Sequence, residues 1–153
     1  MKLTIRPAAM SDLDQLAGLR FLLWPDSPVG EHRLELTAAF SEEASTSLPV
    51  AAFVASDEAG ALGGFVEVAL RSHADGCDPA RPVGFVEGWF VCEGLRRQGV
   101  GKNLLAAAEQ WARAQGCREM ASDALIEAEM SIAAHQALGF EVVDRCVHFR
   151  KDL

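Results

Sequence analysis

The chain has 153 residues, half of them hydrophobic, a length that suits one domain with a real core and leaves little room for a second. Its formal net charge of −8 disfavours nucleic acid and anionic membranes as partners and leans slightly toward a cationic one. No run of about 18 apolar residues suggests a transmembrane helix, and Met1 to Pro7 lacks the apolar stretch of a signal peptide, so a cytoplasmic location is expected.

In chain order, the alternation over residues 2–6 predicts a short strand ended by Pro7. Ser11 is a candidate N-cap, with Asp12 and Asp14 in the first turn of a helix. Leu13, Leu16, Leu19 and Leu23 give that helix an apolar stripe, and Trp24-Pro25 ends it. Residues 31–43 form a second candidate helix. Val50 to Ser56 and Ala61 to Leu70 read as a hairpin around Asp57-Glu58-Ala59-Gly60. Residues 71–82 hold Gly76, Pro79 and Pro82 among polar neighbours and read as a loop. Val83 to Cys92 is the most apolar strand and the expected centre of the sheet. A helix follows from Gly99, with Leu104, Leu105, Ala108, Trp111 and Ala112 on one face and Gly116 as its stop. Residues 117–122 predict another strand, Glu127 to Leu138 a helix closed by Gly139, and Phe140 to Arg150 a last strand or strand pair. The expectation is one α/β domain over residues 1–153, a mixed α/β fold around a single sheet.

Cys77, Cys92, Cys117 and Cys146 have no close CxxC spacing and are expected to be reduced. His32, His73, His135 and His148 show no metal-binding spacing, and no metal is expected.

The stretch Arg96-Arg97-Gln98-Gly99-Val100-Gly101, with Lys102, is the tightest basic cluster in the chain. It lies between a strand and a helix. Glycines there let the backbone turn tightly and approach a ligand. The first amides of the helix have no partner and its dipole favours an anion, so the segment is a candidate pyrophosphate cradle. A Walker A loop is excluded, because Arg96 stands where its first glycine belongs and Asn103 follows Lys102. A dinucleotide fingerprint lacks its third glycine, since position 104 is leucine. A plain turn with solvated arginines also fits these residues. Glu87 is a second signal. It is an acidic residue inside an otherwise apolar strand, and burying it unpaired costs several kcal/mol, so it should face a pocket or a cation.

Arg96-x-x-Gly99-x-Gly101 after a strand resembles the acetyl-coenzyme A signature of the GNAT N-acetyltransferase superfamily, and the element order is similar as well. A closer resemblance, to the aminoglycoside 6′-N-acetyltransferases, is carried by Leu23-Trp24-Pro25, Asp75-Gly76-Cys77, Phe85 to Val91, Cys117 to Asp123, and His135 to Phe140. It implies a GNAT fold: a mostly antiparallel sheet flanked by helices.

The resemblance implies acetyl-CoA as co-substrate, held by Trp89, Phe90 and Val91 along the pantetheine arm and by Arg96, Arg97, Gln98, Gly99, Val100, Gly101 and Lys102 at the pyrophosphate. The Val91 N–H would polarise the thioester carbonyl. Trp24, His73, Glu87, Asp123 and Asp144 would bind a polycationic aminoglycoside. Asp123, then Glu87, are the candidates for taking a proton from the attacking amine. Superfamily members often use a tyrosine to protonate the leaving thiolate, but the chain has none. His135 stands at the matching position, as a proton donor or as packing beside the pantetheine. Ala128 stands where the family often has an asparagine, so that contact is absent. A homodimer is also implied. Plain alternatives remain for several residues: core packing for Trp24, a helix cap for Asp123, a solvated strand face for Asp144, an ordinary loop residue for His73. Two other functions stay open, acetylation of another cationic amine and non-catalytic binding of an acyl-CoA.

Overall fold

The structure is a computed structural model, and it describes residues 2–41 and 48–153. The end of the second expected helix, from residue 42, lies outside the described residues. Among the described residues five strands form one sheet in chain order: β1 (Thr4–Pro7), β2 (Val50–Ser56), β3 (Leu62–Arg71), β4 (Val83–Val91) and β5 (Met120–Ser122). The first four are antiparallel neighbours, and β5 joins β4 in parallel. Helices α1 (Leu13–Leu23), α2 (Val29–Phe40), α3 (Val100–Ala114) and α4 (Glu129–Ala137) complete the element order.

Side-chain alternation along the strands builds two cores. Val54 and Phe65 point to one face, where they meet Leu13, Leu16, Ala17 and Leu19 of α1 and Leu36 of α2. Ala55, Val66, Val68 and Val86 point to the other, where Val100, Leu104, Leu105 and Ala108 of α3 cover them. Burying a large aliphatic side chain contributes about 1.5–3 kcal/mol, so each helix is held mainly by these few residues.

Several boundaries differ from expectation. Pro7 stays within β1, opposite Phe53, because β1 is an edge strand and its missing N–H breaks no ladder. Ser11 does not cap α1. A 3₁₀ turn over Met10–Asp12 precedes the helix, and the Asp12 carboxylate accepts the Ala9 N–H at 2.8 Å and two Arg6 N–H bonds at 2.7 and 2.9 Å. The Arg6 bonds hold the Asp12 carboxyl below its ordinary range. Strand β5 is only three residues long. Gly116 and Gly139 follow their helices with φ of 87° and 94°, as the stop positions require.

The largest correction is at the C-terminus. Residues 141–153 contain neither strand nor helix. Their apolar side chains stand in solvent, with Phe149 92% exposed. Alternation shows which face a strand would bury, but a strand exists only when a neighbour pairs it. Cys77, Cys92 and Cys117 are buried or half-buried, Cys146 is exposed, and all four are free thiols.

Candidate active site

Strands β4 and β5 part company halfway along. They pair through Gly84–Met120, Phe85–Ala121 and Val86–Ser122, and go no further. The divergence coincides with a bulge. On the β3 side Glu67 is opposite Gly88 and Val68 opposite Val86, which leaves Glu87 as the extra residue. Beyond the bulge β4 has an open edge.

The polar groups on that edge follow from the ladder. Cys92 N–H donates to Gly63 O at 2.9 Å. Opposed residues in an antiparallel pair alternate between bonded and non-bonded. Gly64–Val91 and Val66–Trp89 are therefore non-bonded pairs. The N–H and C=O of Trp89 and Val91 face away from β3, into the opening left by β5. Phe90 is committed to β3 and packs its ring on the α1–α2 face, 6.3 Å from that of Phe65. Arg96 Nε reaches the Val91 carbonyl at 2.9 Å.

The chain then turns into α3 through unusual backbone. Arg97 has φ of 58° and Gly99, the N-cap of α3, has φ of 83°. The six amides from Arg97 to Lys102 have no acceptor among the described residues. Arg96, Arg97, Gln98, Gly99 and Lys102 are exposed. Free amides at a positive helix end, with three cations beside them, are chemically suited to an anion. Gly101 has its own reason to be glycine: a Cβ would lie 3.1 Å from the Trp89 indole, whose Nε1 donates to Gly101 O at 3.2 Å. Trp89 thus ties the open strand to the first turn of α3.

A second group of side chains lies on the other face, around Trp24 at the end of α1. A Cβ on Gly88 would sit 2.5 Å from the Trp24 ring, so this glycine lets the indole lie on β4 beside the bulge. Arg20 stands 5.2 Å from the Trp24 ring centroid, and Phe65 meets it edge-on. His32 Nε2 donates to the Trp24 carbonyl at 3.1 Å. Trp24 is half-buried, serving both core and surface.

Glu67, which the sequence reading passed over, is enclosed here. Its Oε1 lies 3.3 Å from Arg20 Nε, yet neither atom completes a hydrogen bond. Burial pushes its carboxyl up, Arg20 opposes this, and the Glu35 and Glu87 carboxylates add to the rise. Glu87 is half-exposed and held by Arg71 through two bonds, Nε to Oε1 at 3.0 Å and Nη2 to Oε2 at 2.8 Å. Arg71 in turn covers the Phe85 ring at 3.5 Å. Glu87 therefore already faces a cation, one supplied by the protein itself.

Asp123 follows the last paired residue of β5 and is exposed. It is no helix cap, since α4 begins at Glu129 with Ala128 as its N-cap. His73 lies in the 72–82 loop, exposed, with Nδ1 3.1 Å from Ser72 Oγ. Asp144 lies in the extended tail and accepts the Arg145 N–H. Val143 presses on Gly76, so this part of the tail runs against the same loop. His135 stands edge-on to Trp89 at 5.2 Å and to Phe140 at 5.3 Å, with Ser122 Oγ 2.8 Å from its Nε2.

Sequence reading missed Glu67, Arg20, Arg71 and Ser122. An acidic residue inside the apolar run Gly63 to Leu70 is the same signal that singled out Glu87, and it applies to Glu67 equally. Arg71 and Ser122 carry no such mark, because their partners are 16 and 13 residues away.

Among the described residues no group of His, Cys, Asp and Glu is placed to hold a metal, and no helix is long and apolar enough to cross a membrane. Comparison with known proteins agrees with the geometry. The profile of the Acetyltransferase (GNAT) family matches residues 16–140. An aminoglycoside N(6′)-acetyltransferase type 1 of Klebsiella aerogenes is 40% identical over 97% of this chain and 96% of its own. Its counterpart from Stenotrophomonas maltophilia is 41% identical over 98% and 94%. Among solved structures, AAC(6′)-Iy in complex with the bisubstrate analog CoA-S-monomethyl-acetylneamine superposes with a TM-score of 0.87 at 37% identity, covering both chains fully. The aminoglycoside 6′-N-acetyltransferase AAC(6′)-Ih from Acinetobacter baumannii gives 0.86 at 32% identity, covering 99% of each. With the strand opening, the free amides and these likenesses together, the chain belongs to the acetyltransferase (GNAT) family.

Proposed function

We propose that this protein transfers the acetyl group of acetyl-CoA to the 6′-amine of an aminoglycoside, and so confers resistance to such antibiotics. The observation that carries the donor half is the run of six unpartnered amides from Arg97 to Lys102, continuous with the open edge at Trp89 and Val91. The acceptor half rests on full-length relatives that bear this activity in their names.

In this reading the amides of Gln98 to Lys102, with Arg96, Arg97 and Lys102, hold the pyrophosphate. The backbone of Trp89 and Val91 lines up the pantetheine, and Val91 N–H meets the thioester oxygen as negative charge develops there. Trp24 is a flat wall for a sugar ring. Glu87, Asp123, His73 and, from the tail, Asp144 meet the cationic substrate. Asp123 or Glu87, directly or through water, accepts the proton that the substrate ammonium must lose before it attacks. Direct transfer needs no covalent intermediate on the protein.

A homodimer fits the exposed apolar side chains of residues 141–153, which have no strand partner among the described residues. A cytoplasmic site of action fits the need for acetyl-CoA.

Thiol release from acetyl-CoA with kanamycin or tobramycin tests the reading. Turnover is expected with aminoglycosides that carry a 6′-amine and not with those that lack one. No turnover with any 6′-amino aminoglycoside overturns it. A polyamine, amino acid or peptide with a higher kcat/KM than every aminoglycoside would move the acceptor to that class.

A further inference from the structure

Ser122 and His135 form a hydrogen-bonded pair whose direction is fixed. His135 Nδ1 lies 2.7 Å from the Ser131 carbonyl oxygen. A carbonyl can only accept, so Nδ1 carries the proton. In neutral His135 the Nε2 is then a lone pair, and the Ser122 hydroxyl, 2.8 Å away, donates to it. Contacts from Trp89 and Phe140 at 5.2 and 5.3 Å hold the ring on two sides. Ser122 is also the last residue of β5 paired with β4, opposite Val86. It therefore sits at the vertex of the opening, where β4 begins to offer its free edge.

The overall reaction releases two protons from the substrate nitrogen. An ammonium sheds one before attack, and the nitrogen sheds a second once it is bonded to the acetyl carbon. The first goes to solvent by way of a carboxylate. The second is equal to the one that the departing thiolate needs.

We propose that Ser122 and His135 are a proton shuttle that carries this second proton from the attacking nitrogen to the leaving sulfur; the proposal rests on the acetyl-transfer reading above. As the new C–N bond matures, the nitrogen gives its proton to Ser122 Oγ, and the Ser122 proton passes to His135 Nε2. As the C–S bond breaks with its electron pair on sulfur, His135 Nε2 returns the proton to Ser122 Oγ, and the Ser122 proton passes to sulfur. Both residues end as they began, and no outside acid is required. The resting tautomer, with Nε2 free, is the one that the first transfer needs. The pair replaces the tyrosine that the chain lacks.

Wild-type turnover with tobramycin is measured first, since its absence would remove the acetyl-transfer reading itself. Given turnover, Ser122→Ala and His135→Ala are each expected to lower kcat by about 100-fold or more. The double variant should fall no further than the worse single one. CoA affinity by calorimetry should stay within about twofold, and Ser122→Thr, which keeps a hydroxyl, should retain most of the rate. The decisive arm changes the leaving group. With S-(4-nitrophenyl) thioacetate, whose thiolate leaves without a proton, the deficit of both alanine variants should shrink to less than about threefold. Wild-type kcat in either alanine variant, or an equal deficit with both donors, overturns the shuttle. Should Ser122→Ala fail to fold, a proton inventory of the wild-type protein decides: a curved plot supports two protons in flight, and a straight one overturns the proposal.

Discussion

In the proposed reading, the donor and acceptor sides of the site are built in opposite ways. The donor side is nearly one continuous segment, Trp89 to Lys102, and most of what it presents is backbone: two open-edge residues and six free amides. The acceptor side would gather side chains from Trp24, His73, Glu87, Asp123 and Asp144, with Arg71 held on Glu87, and these lie far apart in sequence. A backbone site tolerates changes of side chain and fails when φ is disturbed. A side-chain site does the reverse, since it depends on charge and on where each element is packed. Four experiments can break or sharpen this contrast.

The largest effect is expected at Gly99. Its φ of 83° is one that a β-branched residue resists at about 1–3 kcal/mol. Gly99→Val should raise the acetyl-CoA KM about 10- to 100-fold and leave the aminoglycoside KM within about twofold, as steady-state kinetics would show. A matching rise in both would mean that the two sides are not separable.

Gly88 gives the mirror-image test. A methyl there meets the Trp24 ring at 2.5 Å and must displace the indole. Gly88→Ala should raise the aminoglycoside KM by about tenfold, below the roughly 100-fold that a misplacement of about 1 Å can cost. Acetyl-CoA affinity, measured by calorimetry, should hold.

Arg71 makes a smaller and less intuitive test. It occupies Glu87 with two hydrogen bonds at a half-exposed position, so a cationic substrate competes with it. Exposed pairs of this kind are worth about 0.2–1 kcal/mol. Arg71→Ala should therefore lower the aminoglycoside KM about two- to fivefold, with an increased dependence on salt. A rise instead would assign Arg71 to positioning Glu87 rather than blocking it.

The smallest effect concerns stability. Burial raises the Glu67 carboxyl above its ordinary value, so its contribution to stability is fully present below the unfolded-state value and is lost as pH rises through the folded one. Glu67→Gln removes that loss. Urea melts of the two proteins from pH 4 upward should show the variant gaining on wild type toward neutral pH. A gap that stays constant with pH would place the charged carboxylate in a better-solvated setting.

Much of this architecture is local, and so was visible in sequence. Strand β2 runs from Val50 to Ser56 as its apolar pattern requires, and α3 starts one residue after Gly99. Glu87 stood out as a carboxylate inside an apolar strand, whereas Asp123 was singled out only by the resemblance. Ser11 failed as a cap because Asp12, one residue on, had a stronger offer from Arg6 across a turn. Phe140 to Arg150 failed as a strand because pairing is a property of two segments, and only one of them is in the pattern. The tautomer of His135 was out of reach for a related reason: it depends on a carbonyl one helical turn away and on a hydroxyl from another strand.

Sequence by itself marked the Arg96 to Lys102 segment at the start of α3 and the apolar strands of the sheet. Glycine φ freedom, helix-end amides and alternation act over a few residues, and their signals are written in adjacent letters. Only the tertiary structure decided that β5 starts as late as Met120, that Glu87 is the bulge residue held by Arg71, and that Glu67 lies half-buried against Arg20. Those outcomes depend on which strand edges meet and which charges lose water together, and neither is encoded in any one segment.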